Sequence, residues 1–68
     1  MNIILNNTPE EIINKTSLTV KELLVYKNFT FPMLVIKINE TLVKKDDYNN
    51  ATIKDGDIVN VIHLISGG

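Results

Sequence analysis

The residues best placed to do chemistry are the last two, Gly67 and Gly68, which follow Ser66 and an apolar run over 58–65. Glycine has no Cβ, so a diglycine end is narrow and leaves its terminal carboxylate open on both sides. Such an end fits into a tight active site of another protein and presents the carboxylate for reaction. Frayed domain ends are often glycine-rich as well, so the pair needs support from the rest of the chain.

The other polar groups do not form a catalytic set. His63 has no cysteine and no second histidine with which to share a metal, so we expect a structural or partly exposed role for it and no metal site. The pair Asp46-Asp47 and the segment Asp55-Gly56-Asp57 lie in turn contexts, where aspartate hydrogen-bonds to the backbone and bends it. We expect the second segment to set the register of the last strand rather than to act as an acid and base.

Composition narrows the class of protein. The 68 residues predict one domain, 1–68, with a flexible tail at 66–68, and the absence of cysteine excludes disulfides and a cysteine nucleophile. Seven lysines against eight acidic residues, with no arginine, argue against nucleic-acid binding. The apolar runs are too short for a membrane span, and the first residues lack the features of a signal peptide. We expect a cytoplasmic protein that is monomeric when free.

The helix is the most clearly predicted element. Thr19 is a good N-cap, and Glu22 three residues later completes a capping box. Leu23 and Leu24 belong to the apolar face, and Asn28 is a plausible end. One helix over 20–28 is therefore expected to cover one face of a sheet.

Turn-forming residues divide the rest of the chain into short strands. Asn39-Glu40 predicts a hairpin turn, and Tyr48 is the one aromatic anchor in a polar, irregular stretch. The predicted strands span 2–6, 10–15, 34–38, 41–44 and 58–65. The expected order is β-β-α-β-β-β, an α+β fold with a mixed sheet of about five strands and one helix.

This order, the Asn39 turn, Tyr48, the Asp55-Gly56-Asp57 turn and the terminal diglycine together resemble the β-grasp sulfur carriers. That group includes the thiamine-biosynthesis sulfur carrier and the small subunit of molybdopterin synthase, and its fold is related to ubiquitin. The resemblance spans the chain, and its most specific part is Asp-Gly-Asp, a strand of about eight residues, then Gly-Gly. It implies that the first and last strands lie parallel at the centre of the sheet.

The resemblance also implies a function for Gly67 and Gly68. An E1-like adenylyltransferase would use ATP and magnesium to adenylate the Gly68 carboxylate, and a persulfide donor would convert it to a thiocarboxylate. The sulfur would pass to a thiazole synthase or an equivalent acceptor. The chain itself would then be a carrier and cosubstrate rather than an enzyme, with no cofactor bound to it.

The last strand also predicts a docking surface. Side chains alternate along a strand, and the family pattern places Val59 and Val61 beneath the helix. The open face would then carry residues that dock on partner proteins, namely Ile58, Asn60, Ile62, Leu64, Val35, Lys37 and Ser66. A register shifted by one residue would exchange the two faces, and a covering loop would hide them.

Four other functions remain open on the sequence alone. The chain could be the small subunit of molybdopterin synthase or supply sulfur to another metabolite. A ubiquitin-like modifier would join Gly68 to lysines of other proteins. In an RNA- or ligand-binding β-grasp module the diglycine would be incidental.

Overall fold

A computed structural model describes residues 1–30 and 33–64 of the chain. It contains seven strands, one α-helix and one 3-10 turn in those ranges. The strands are β1 (Asn2–Leu5), β2 (Thr8–Glu11), β3 (Ser17–Thr19), β4 (Leu34–Ile38), β5 (Thr41–Val43), β6 (Thr52–Lys54) and β7 (Ile58–His63). The helix α1 spans Val20–Tyr26, and the 3-10 turn spans Lys45–Asp47.

The main sheet has five strands in the order β2-β1-β7-β4-β5. Strands β1 and β7, the first and last, are parallel, while the other neighbours in this sheet are antiparallel. Helix α1 buries Val20, Leu23 and Leu24 in the core. The predicted fold class, a β-grasp with a mixed five-stranded sheet and one helix, is confirmed.

In the described ranges all buried residues are aliphatic, and no polar or charged residue is buried there. The most deeply buried members of this core come from the helix, the sheet and β6, including Leu23, Ile36, Ile53 and Val59, all 0% exposed. Burying a side chain of this size stabilises the fold by about 1.5–3 kcal/mol. With no disulfide available, this packing is the main source of stability.

The beginning of α1 is stabilised locally and by distant backbone. The capping box forms as predicted: the Glu22 N–H donates to Thr19 Oγ1 at 3.1 Å, and the Thr19 N–H donates to Glu22 Oε1 at 2.8 Å. The Thr19 N–H, helped by nearby Lys15, lowers the pKa of Glu22 from its ordinary 4.5. The Val20 and Lys21 N–H groups donate to the carbonyls of Ala51 and Tyr48, so the segment before β6 satisfies two further donors.

The predicted element order was wrong in one respect. Strands β3 and β6 pair antiparallel as a separate ribbon, and the sequence analysis recognised neither. Each is only three residues long, too short for an alternating pattern to stand out. Their central side chains, Leu18 and Ile53, lie opposite each other and are both buried.

Several element boundaries also differ from the prediction. The second strand runs Thr8–Glu11 rather than 10–15, because the turn before it contains only Asn6 and Asn7. Both asparagines have positive φ, 51° and 67°, as a tight two-residue hairpin requires. The last strand ends at His63 instead of residue 65. The predicted helix end at Asn28 agrees with its φ of 57°, one residue after the C-cap Lys27.

In the described ranges, no helix has the length and hydrophobicity needed to cross a membrane.

Candidate functional site: the C-terminal strand and its open face

Strand β7 is the central strand of the sheet and leads toward the C-terminus. Leu64 follows it and is the last residue that the structure describes at this end. The predicted reactive residues Gly67 and Gly68, and the predicted docking residue Ser66, lie outside the described residues. The described residues show which contacts hold β7 in place and which surface surrounds its end.

On one side, β7 is fixed by β1 and the residue that follows it. The Ile4 N–H donates to the Asp57 carbonyl at 3.0 Å, and the Asn6 N–H donates to the Val59 carbonyl at 2.9 Å. Asn6 adds a side-chain contact, since its Oδ1 accepts from the Val61 N–H at 2.8 Å. The asparagine thus continues the pairing beyond the end of β1.

On the other side, β7 pairs antiparallel with β4 from Ile38↔Val59 to Leu34↔His63. The Leu64 N–H then donates to the Met33 carbonyl at 3.0 Å, which extends the pairing one residue past the strand. Backbone hydrogen bonds thus hold β7 on both sides as far as Leu64, the last described residue.

The start of β7 is fixed by the Asp55-Gly56-Asp57 turn. Asp55 Oδ1 accepts from the Asn2 N–H at 2.6 Å, and Asp57 Oδ2 accepts from the Lys54 N–H at 2.8 Å. Gly56 has a φ of 87°, a backbone conformation that residues with a side chain rarely adopt. These aspartates bond to backbone groups, as the sequence predicted for residues that set the register.

The two faces of β7 differ as predicted. Val59 and Val61 are buried at 0% and 8% exposure, whereas Ile58 and Ile62 are 48% and 47% exposed. The alternative of a register shifted by one residue is therefore excluded. Single exposed aliphatic side chains are common on protein surfaces, so whether these form a contact surface depends on their neighbours on the sheet.

The register of β4 against β7 brings the predicted docking residues together. Val35 lies opposite Ile62, and Lys37 lies opposite Asn60, so all four side chains share one face. Val35 and Asn60 are half-buried and Lys37 is exposed. The structure thus places these residues side by side, while their docking role remains a prediction.

Leu64 was assigned to the open face by strand alternation. It is 42% exposed, and its N–H bonds to the Met33 carbonyl at the end of the sheet. It is thus an exposed apolar residue at the end of the sheet, next to the open face, and its docking role remains a prediction.

Two further residues extend the face and were not recognised from sequence. Ile4 pairs with Ile58 across the parallel β1–β7 contact, and Leu42, 57% exposed, pairs with Lys37 across β4–β5. Cross-strand partners point to the same side of a sheet, so both belong to the open face. Their assignment depends on which strands are neighbours, information that no local sequence pattern carries. We call this surface the sheet face: Ile4, Val35, Lys37, Leu42, Ile58, Asn60 and Ile62.

The described residues also show how potential metal ligands are distributed. No group of three or more His, Cys, Asp or Glu side chains is close enough there to hold a metal ion. His63 is exposed at the end of β7. What this region offers is an apolar surface with one central cation, Lys37, next to a rigidly held strand end.

Three features of the fold define its class: a mixed sheet, parallel first and last strands at its centre, and one helix on one face. They are those of the ubiquitin-like β-grasp proteins, and the terminal diglycine is consistent with that class. The ThiS family model matches residues 3–68. Because that match covers nearly the whole chain, the protein belongs to the ThiS family of β-grasp sulfur carriers.

Solved structures agree with this assignment. The crystal structure of the thiamine biosynthesis protein ThiS from Geobacter metallireducens is 28% identical, with a TM-score of 0.90 and full coverage of both chains. The solution NMR structure of a thiamine biosynthesis protein from the same organism is 27% identical, with a TM-score of 0.76. That match covers all of this chain and 88% of the other. No curated protein sequence matches this chain.

Proposed function

We propose that this protein carries sulfur as a thiocarboxylate on Gly68 for the synthesis of the thiamine thiazole. The observation that carries the proposal is the ThiS family match, which runs through the terminal diglycine at residue 68. The similarity to thiamine biosynthesis proteins over full length supports the choice of pathway. The protein is then a cosubstrate, and the catalytic groups belong to its partners.

The first step is activation of the Gly68 carboxylate. A carboxylate is a poor acyl donor, because its leaving group would be an oxide. In the proposed reaction, a carboxylate oxygen attacks the α-phosphate of magnesium-bound ATP on an E1-like adenylyltransferase. Pyrophosphate leaves, and the product is an acyl-adenylate whose leaving group is AMP. The absence of side chains at Gly67 and Gly68 allows this end to enter a narrow active site.

The second step introduces sulfur. The terminal sulfur of a protein persulfide attacks the acyl carbon of Gly68, and AMP leaves, which gives an acyl disulfide. A thiol then attacks the other sulfur of that disulfide, so the S–S bond breaks. The thiocarboxylate is released, and the thiol is oxidised into a new disulfide. Atoms and electrons balance with the persulfide and one thiol, both supplied by partner proteins. The thiocarboxylate finally gives its sulfur to a thiazole synthase.

The sheet face is the proposed docking surface for the adenylyltransferase. Its half-exposed aliphatic side chains, Ile58, Ile62 and Leu42, would become buried on contact. The face also contains the outer side of β7, the strand that leads to the diglycine. A partner bound there contacts the strand that leads to the diglycine, so the same protein would both bind the chain and modify its end.

Pyrophosphate release in the presence of an E1-like thiamine-pathway adenylyltransferase, ATP and magnesium tests the proposal. We expect release with the full chain and none with a chain that lacks Gly67 and Gly68. Ile62→Asp is expected to raise the KM for the carrier about tenfold or more, because a charge enters an apolar contact. Ile13→Asp is the matched control, since Ile13 is 72% exposed but lies outside the sheet face.

Each result has a distinct reading. Equal effects of the two aspartate variants would contradict the sheet face as the docking site. Pyrophosphate release from the truncated chain would contradict activation at Gly68. A ladder of protein conjugates after activation would favour a ubiquitin-like modifier over a sulfur carrier.

A further inference from the structure

We infer that a basic, apolar groove next to the sheet face binds an acidic segment of the protein that docks on that face. The inference rests on the proposed function, because it assigns a second contact to the same adenylyltransferase. The partner segment is defined by its chemistry: large apolar side chains flanked by aspartate or glutamate.

The groove runs between the outer side of α1 and the edge of the sheet formed by β4 and β5. Its volume is about 770 Å³, enough for several side chains of a partner. Phe29, Leu34 and Val43 are half-buried on its walls, and Met33 is 48% exposed. The groove is thus a mostly apolar surface that the described part of the chain leaves uncovered.

The charged residues that line the groove have one sign. Three lysines line it, Lys21 from α1 and Lys44 and Lys45 from the segment after β5, and no acidic residue does. All three are exposed. The salt bridge in the described ranges joins Lys27 to Glu10, so these three lysines have no salt-bridge partner there. The exposed Asp46 and Asp47 follow Lys45 in the 3-10 turn but do not line the groove, so the charged side chains on its walls are all positive.

The groove is continuous with the sheet face. Val35 and Leu42 belong to both, and Leu64, the last described residue before the reactive end, lies in the groove wall. A protein bound to the sheet face would therefore also contact the edge of the groove at Leu42. One partner can contact both surfaces while it holds the end of the chain.

Charge and shape favour a protein segment over other occupants. A small anion needs several polar donors that converge on one point, whereas the three lysines lie around an apolar floor. A second copy seated groove to groove would bring like charges together, which is unfavourable. An acidic, apolar segment satisfies the lysines and covers the floor at once.

The test compares two double variants that change charge equally. Lys44→Glu with Lys45→Glu reverses two groove lysines, and Lys15→Glu with Lys54→Glu reverses two exposed lysines outside the groove. The measurements are the Kd for the adenylyltransferase as a function of salt concentration, and the yield of adenylate at saturating enzyme. Thermal unfolding of each variant verifies that the fold is retained.

We expect the groove variant to bind roughly 10- to 30-fold more weakly at low salt, with a smaller salt dependence, and the control to change by about twofold or less. Adenylate yield at saturating enzyme should stay at the wild-type level, because the groove contributes binding and not chemistry. Equal weakening in both variants, or none in either, would overturn the inference.

A second measurement separates this inference from the proposed function. NMR chemical shifts are recorded while a synthetic peptide, with Leu and Phe at its centre and Glu on both sides, is titrated into the full chain. Shifts at Phe29, Val43 and Leu64, lost in the groove variant, would support the groove even if no adenylate forms with any enzyme. Shifts confined to the sheet face would overturn it.

Two other occupants would also give distinct results. Tighter peptide binding after removal of Gly67 and Gly68 would mean that the chain's own end occupies the groove. Shifts at the same residues that grow with protein concentration alone would point to a second copy. Either result would overturn the inference.

Discussion

Asn39 connects the β4–β5 turn to the start of β7, and replacing it should destabilise the protein more than its exposed position suggests. Its Oδ1 accepts from the Ile58 N–H at 2.8 Å, and its Nδ2 donates to Asp57 Oδ1 at 3.0 Å. Its backbone N–H donates to the Ile58 carbonyl at 2.7 Å. Its φ is 49°, a region that asparagine tolerates and alanine does not.

The expected magnitudes follow from these contacts. Asn39→Gly keeps the positive φ but loses both side-chain hydrogen bonds, worth about 0.5–1.5 kcal/mol each, and makes the unfolded chain more flexible. We expect the free energy of unfolding of Asn39→Gly to be about 2 kcal/mol lower than that of the wild type. Asn39→Ala loses the same bonds and also places a Cβ in the left-handed region, for a total loss of about 3 kcal/mol. The whole stability of a chain of this length is roughly 3–10 kcal/mol.

Asn39→Asp supplies a control for the hydrogen-bond part of the argument. It keeps the acceptor for Ile58 but places a carboxylate against Asp57, where the wild type has an amide donor. We expect a lower free energy of unfolding than that of the wild type at pH 7. The difference should shrink at acid pH, where carboxylates become protonated, because a protonated carboxyl group can donate a hydrogen bond to the other carboxylate.

Urea unfolding followed by far-ultraviolet circular dichroism is the suitable assay, since the chain has no tryptophan. The thermal midpoint should fall by roughly 12–24 °C for Asn39→Ala, given about 4–8 °C per kcal/mol in a domain of this size. If alanine proved as stable as glycine, the positive φ would not matter. If all three variants stayed within about 0.5 kcal/mol of the wild type, the network itself would not stabilise β7.

Two further predictions concern β7 and the helix. Val61→Asp should leave the chain unfolded by circular dichroism, because it places an unpaired charge at a site only 8% exposed, and a native spectrum would contradict the assignment of its face. Because the pKa of Glu22 is lower in the folded state, the ionised Glu22 side chain adds to the free energy of unfolding above about pH 4.5. This contribution is lost as the pH falls through the pKa of the folded state. Glu22→Gln should therefore remove part of the acid sensitivity measured by urea unfolding, and an unchanged pH profile would contradict this role of the capping box.

The elements predicted well from sequence are those with local chemical signals. The capping box at Thr19 and Glu22 needs only residues three apart, and both hydrogen bonds are present. The turns at Asn28 and Asn39 are signalled by asparagine, which tolerates positive φ. The two faces of β7 followed from strand alternation, once the family pattern had set its phase.

The features that were missed depend on contacts between distant parts of the chain. The β3–β6 ribbon joins residues more than thirty positions apart through strands of three residues, and neither strand has a readable period. The carbonyls of Tyr48 and Ala51 that accept from the helix N-terminus come from a stretch that reads as irregular. The places of Ile4 and Leu42 on the sheet face likewise follow from strand order alone.

The central claim is that Gly68 carries sulfur, and intact-mass spectrometry with fragmentation tests it most directly. The full chain is incubated with an E1-like adenylyltransferase, ATP, magnesium, a persulfide donor and a thiol. We predict that one oxygen is replaced by sulfur and that the fragments assign the change to Gly68. Assignment is essential because oxidation of Met1 or Met33 gives nearly the same mass change. The control is a parallel reaction in which the same enzyme activates the carrier protein of its own organism. If that reaction succeeds while Gly68 of this chain stays unmodified, the claim is contradicted.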